Sequence, residues 1–176
     1  MKKQLTTVLL ILSISWLVAL SGVNATEYDE RGGSRGDNHS QSIEEAVRNY
    51  AQFWNSGDEA LARKALSHNF IDRTLPEGRK QGVIGAIEAS RHFREAVPDL
   101  TAQIEQMLIA EDKAAVRLRF KGHFSGQFGK VKGRGQEIDF TAVDIYRISK
   151  GKITDNWHLE DYLTLFAQME VVSMPE

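Results

Sequence analysis

The stretch Gln136–Trp157, QEIDFTAVDIYRISKGKITDNW, decides the fold. Its first part alternates: Ile138, Phe140, Ala142, Tyr146 and Ile148 fall on one face, the period of a strand with one buried side. Asp144 stands in the middle of that apolar row. Ser149-Lys150-Gly151 breaks the run and Lys152–Trp157 resumes it, so the two segments read as antiparallel strands joined by a tight turn.

Outward from this hairpin the pattern repeats. Leu100–Ala110 and Ala114–Phe124 are two further strands separated by Glu111-Asp112-Lys113, and the glycine-rich Gly126–Gly135 stretch leads into Gln136 as a hairpin loop. Four sequential strands with short joins predict an antiparallel meander. Before them the period becomes helical. Ile43, Ala46, Val47, Tyr50, Ala51, Phe53 and Trp54 follow a Ser42-x-x-Glu45 capping box and end near Gly57. Asp58 caps a second helix carrying Leu61, Ala62, Ala65 and Leu66; Asn69–Thr74 is a short extended segment; Val83–Ala96 is a third helix stopped by Pro98. Tyr162–Met169 makes a last helix. Helices segregated from an antiparallel sheet define an α+β fold, and a long curved sheet with N-terminal helices over its concave face encloses either packed side chains or a pocket.

The 176 residues are 41% hydrophobic and 26% charged, which suits one domain. Lys plus Arg (22) nearly balance Asp plus Glu (24), so no basic field exists to gather nucleic acid, and the expected partner is a small molecule. Cysteine is absent, which removes disulfides and thiolate chemistry. Lys2 and Lys3 precede an apolar run over Leu5–Leu20 and then Val23-Asn24-Ala25, the pattern of a signal peptide over 1–25. Its cleavage would leave no membrane anchor and a periplasmic or secreted protein. Residues 26–41 are polar with three glycines and predict a flexible leader before a domain over 42–172.

Three residues are candidates for acid/base work. Asp144 is costly in an apolar row unless paired, so it either lines the pocket as an acid/base or anchor, or packs against a partner. Asp161, after the final strand, either caps the last helix or turns inward as a base whose pKa desolvation raises. His158 is a proton shuttle if it faces the pocket, but alternation sets it opposite Trp157, and Trp157 is the expected inward residue. Phe53, Trp54, Phe93, Phe120, Phe140 and Tyr146 complete an aromatic set that serves as core or as a wall for a flat apolar ligand. His39, His68, His92 and His123 lack partners at metal-ligand spacing, so no metal is expected.

Several segments carry a resemblance: Tyr50-x-x-Phe53-Trp54-Asn55-x-Gly57-Asp58, Pro98-Asp99-Leu100, Gly122-His123-Phe124-Ser125-Gly126-x-Phe128-Gly129, Tyr146-Arg147-Ile148-x-x-Gly151-Lys152-Ile153, and Trp157-x-x-x-Asp161-x-x-x-Leu165. In this order and spacing they resemble the SnoaL-like polyketide or ester cyclases of the NTF2-like superfamily, over about Ile43–Met169. The resemblance implies a cone-shaped fold, no cofactor, a homodimer joined through the outer sheet face, and proton abstraction from a polyketide-like carbonyl compound, as in a cyclase, isomerase or lyase, with Asp161 at the position of the pocket acid/base. Two positions depart from it: Arg73 stands where relatives carry His after Asp72, and Phe124 where they carry another His. These losses favour the alternative of a non-catalytic periplasmic ligand carrier or dimeric interaction module.

Overall fold

The computed structural model describes residues 30–172, with side chains from 36 onward; the expected signal peptide lies outside the described residues. The elements run α1 (Glu30–Ser56), α2 (Glu59–Ala65), β1 (Leu66–Asp72), α3 (Gly82–Ala96), β2 (Thr101–Ala110), β3 (Lys113–Phe124), β4 (Gln127–Phe128), β5 (Val131–Lys132), β6 (Gln136–Ser149), β7 (Lys152–Glu160) and α4 (Tyr162–Gln168). The long strands form one curved sheet in the order β1-β7-β6-β3-β2, antiparallel throughout except for β1, which joins the β7 edge in parallel. β4 and β5 make a separate hairpin within the glycine-rich loop.

The long central strands follow the expected alternation. Along β3, Val116, Leu118, Phe120 and Phe124 point inward; along β6, Ile138, Phe140, Ala142, Asp144, Tyr146 and Ile148 do so. Over this face lies α1, burying Ile43, Ala46, Val47, Tyr50 and Phe53, with α3 contributing Ala86, Ile87 and Ala96. One stripe of each helix is apolar because its residues recur every three or four positions. Asp58 caps α2 by accepting from the Ala60 N–H at 2.9 Å.

Two expectations change. First, α1 begins at Glu30, so the leader expected over 26–41 is helical from 30 onward. Ser42 does not cap it; its hydroxyl donates to the His39 carbonyl at 2.8 Å from inside the helix, and Glu45 pairs with Lys64 at 2.9 Å. The His39 ring meets the Glu111 carbonyl at 3.1 Å and so docks this extension on the β2–β3 turn. Second, β7 does not alternate regularly. Ile148 pairs with Ile153 but Arg147 pairs with Asp155, leaving Thr154 as an extra, bulged residue.

Past the end of β7, α4 completes the β6 ladder by a side chain. Gln168 accepts from the Asp139 N–H at 2.8 Å and donates to its carbonyl at 3.0 Å, an amide standing in for a strand.

The face assignment on β3 has a direct check in two adjacent residues. Leu118→Ala should cost about 3 kcal/mol by the usual core-truncation scale, whereas Arg117→Ala, which loses only an exposed pair with Glu105, should cost less than about 1 kcal/mol. Equal losses in urea denaturation would contradict the inward placement of Leu118.

Candidate functional site

The helices and the sheet do not fill the space between them: a cavity of about 840 Å³ remains. An aromatic wall bounds one part. Phe120 and Phe140 stack at 5.1 Å between centroids, and Trp54 and Phe93 meet them edge-on at 6.1 and 6.0 Å. Another part is polar, and the paired inner rows of β6 and β7 contribute Asp144, Asn156, His158 and Glu160 to it. Asp144 lies opposite His158, Tyr146 opposite Asn156 and Ala142 opposite Glu160. The end of β1 adds Asp72, α1 adds Tyr50, and Arg79 and Tyr162 stand among the remaining lining groups.

Asp144 is 5% exposed. Its Oδ2 accepts from the Tyr146 hydroxyl at 2.6 Å and from Asn156 Nδ2 at 3.3 Å, while no described residue donates to Oδ1. Burial pushes this carboxyl up to about 6, against the opposing effect of the Tyr146 hydrogen bond. A carboxyl so tuned is mostly ionised at neutral pH yet holds a proton readily, which suits a general base.

His158 is fixed at both ring nitrogens. Nε2 lies 3.0 and 3.2 Å from the two Asp72 oxygens, and Nδ1 lies 2.8 Å from Glu160 Oε1. Two carboxylate acceptors demand two N–H donors, so the ring is an imidazolium. Burial alone would lower its pKa, but the bonds to Asp72 and Glu160 prevail and raise it to about 10. With both nitrogens spent, His158 supplies fixed positive charge beside Asp144 and no free lone pair.

The expected site residues therefore divide. Asp144, His158, Trp54, Phe93, Phe120 and Phe140 line the cavity. Phe53 and Tyr146 are packed in the core behind it, where Tyr146 serves Asp144 through its hydroxyl. Trp157 faces outward beneath the Arg147 guanidinium, 5.4 Å from the ring centroid, because the bulge at Thr154 reverses the phase of everything after it. Asp161 is exposed and caps α4: it accepts from the Thr164 N–H at 3.0 Å and the Thr164 hydroxyl at 2.7 Å, and these bonds hold it below its ordinary value. The expected base at Asp161 gives way to a cap, since a side chain that satisfies the first turn of a helix is not free to turn inward.

Asp72, Glu160, Asn156 and Tyr50 were not among the expected site residues. Glu160 was legible as the residue two beyond His158 on the same face. Asp72 was not, because the parallel docking of β1 on β7 leaves no local pattern.

Residues 44–169 match the family model for the SnoaL-like polyketide cyclases. The chain is 38% identical to a polyketide cyclase-like protein of Bacillus cereus, covering 75% of this chain and 83% of that one with a TM-score of 0.69. TsrD of Streptomyces laurentii (22% identity, 75% and 97% covered, TM-score 0.68) and IdmH of Streptomyces antibioticus (21%, 73% and 98%, 0.66) share the fold. No curated protein matches the chain.

The two shifted groups make stability fall with rising pH in two windows. A carboxyl raised from 3.8 to about 6 binds its proton more tightly when folded, so Asp144 removes roughly 3 kcal/mol as pH climbs from about 4 to 6 and nothing further above that. His158, raised from 6.5 to about 10, stabilises fully below 6.5 and loses that contribution as pH climbs to 10. In denaturation series across pH, Asp144→Asn should flatten the first decline and His158→Gln the second; declines unchanged by these variants would refute the assignments.

Proposed function

The chain belongs to the SnoaL-like polyketide cyclase family, and on that premise we propose that it binds a small, largely apolar carbonyl compound in the cavity and moves a proton on it with Asp144 as the base. The observation that carries this reading is the buried carboxyl of Asp144, tuned to about 6 and open at Oδ1 toward a partly aromatic cavity. In the step envisaged, Oδ1 takes a proton from the carbon next to the ligand's carbonyl. The C–H electron pair moves to form the enolate, which attacks a second carbonyl of the same molecule, and Asp144 returns its proton to the new alkoxide. Tyr146 and Asn156 hold Oδ2 while this happens, and the aromatic wall orients a flat ligand by stacking. The His158 imidazolium, fixed by Asp72 and Glu160, favours the charged form of Asp144 before the transfer.

Proton exchange into deuterated water offers a test that needs no natural substrate. With 2-tetralone as probe, the protein should speed α-deuteration at a rate governed by an apparent pKa near 6, and Asp144→Asn should lower that rate by about 10²–10⁴-fold. Asp161→Ala should leave it within about twofold while weakening the α4 cap by roughly 1 kcal/mol. Tetralone that binds without any exchange in the parent protein would mark a carrier and overturn the enzymatic reading.

We also propose that the protein acts after export, in the periplasm or the medium, and as a homodimer. The dimer reading rests on an apolar stripe across the outer sheet face: Leu108, Val143, Ile145 and Leu159 are all exposed, Val143 pairs with Leu159, and Ile145 pairs with Trp157. Leu159→Asp should convert a dimer to a monomer in light scattering coupled to gel filtration; a monomeric parent protein would refute the assembly.

A further inference from the structure

The bulge at Thr154 turns Asp155 to the outer face of the sheet yet leaves it only 5% exposed. A carboxylate shut away from water needs a close cation and hydrogen bonds. Its closest cation is Arg73, the residue after Asp72: Nε lies 2.7 Å and Nη2 2.6 Å from Oδ1. Thr154 donates to Oδ2 at 2.8 Å, and Arg147 stands farther off at 3.7 Å. The Arg73 N–H also donates to the Asn156 carbonyl at 2.8 Å, so the backbone and side chain of one residue both grip β7.

Neighbouring residues of an extended chain point to opposite faces. Ile71 pairs with Asp155 and Asp72 with Asn156, so Asp72 faces inward at the end of β1. Arg73, the first residue of the turn after it, reaches back to the outer face and holds the strand end that carries Asp72. β1 needs such a grip, for it is an edge strand whose ladder with β7 is irregular between Leu66 and Ile71. On its other side Gln81 holds the Asp72 backbone, accepting from its N–H at 2.7 Å and donating to its carbonyl at 2.9 Å. Gln81 fixes the strand in place but bears on neither side chain.

We infer that Arg73 is a positioning residue: its outward ion pair with Asp155 aims Asp72 at His158 and so keeps the cavity imidazole hydrogen bonded at both nitrogens. The groups facing His158 are Asp72 from β1, Asp144 from β6 and Glu160 from its own strand, with Arg79 near Asp72. The inference rests on the proposed site as an arrangement of charges and is independent of the reaction assigned to it.

The test reads the imidazole directly, by long-range proton–nitrogen NMR of histidine-labelled protein across pH, with His158→Gln to assign the signal. The parent protein should keep both ring protons on His158 to above pH 9. Arg73→Met should lower the His158 titration by more than one pH unit, a tenfold or greater loss of proton affinity, and Arg73→Lys should recover at least half of that shift. Should Arg73→Met fail to fold around its orphaned Asp155, the double variant Arg73→Met/Asp155→Leu removes both charges together and should show the same fall. A His158 that titrates as in the parent in these variants overturns the inference, and a fall in Asp72→Asn alone would trace the failure to Arg73. An ordinary titration in the parent itself would overturn the ion-paired cluster and the inference with it, while α-deuteration of the probe ketone would still report separately on Asp144.

Discussion

Between Ile153 and Asn156, β7 carries one residue more than its partner β6, and the backbone bulges at Thr154 so that the ladder closes on both sides. Side-chain direction in a strand has a period of two, so one added residue exchanges the two faces for everything downstream. Without it Asp155 and Trp157 would project into the cavity and His158 out of it. With it, Asn156, His158 and Glu160 line up across from Tyr146, Asp144 and Ala142, and five polar groups gather on the inner face.

The same displacement accounts for the sorting of the carboxylates. Asp155, on the outer face, is held below its ordinary value despite burial by the Thr154 hydroxyl bond and by Arg73 and Arg147. Asp72 and Glu160 share the His158 imidazolium. Asp144 has two neutral hydrogen-bond donors and no direct cation, so burial prevails and its proton is held nearly to neutrality. Carboxyl groups gathered around β7 are thus given separate tasks by their partners, which is how one small cavity can hold a base beside a fixed positive charge.

Such an arrangement opposes folding, because a carboxyl that resists ionisation costs free energy at neutral pH. The sheet offsets this with an unbroken apolar core: Leu118, Ile138, Phe124 and Ile153 are buried together with Ile43, Val47 and Phe53 of α1. Arg119, gripping Asp139 through both its Nε and Nη2 at 2.6 and 2.7 Å, ties β3 to β6 on the outside. The aromatic rings then divide by position: Phe53 belongs to the core, while Phe120, Phe140, Trp54 and Phe93 stop short of filling the hollow.

The sequence by itself determined the apolar stripes of the helices, the meander and the inward placement of Asp144, since each is a matter of period within one segment: 3.6 along α3, two along β3 and β6; the start of α1 was not among them. It also named most of the aromatic wall. Tertiary structure alone decided the inward face of β7, the partnership of Asp72 with His158 across 86 residues, and the use of Asp161 as a cap. A bulge is absent from the hydrophobic pattern until the partner strand supplies the register, and a parallel edge strand is placed by contacts far away in the chain. Local sequence specifies which way a side chain points relative to its neighbours, whereas only packing specifies what it then meets.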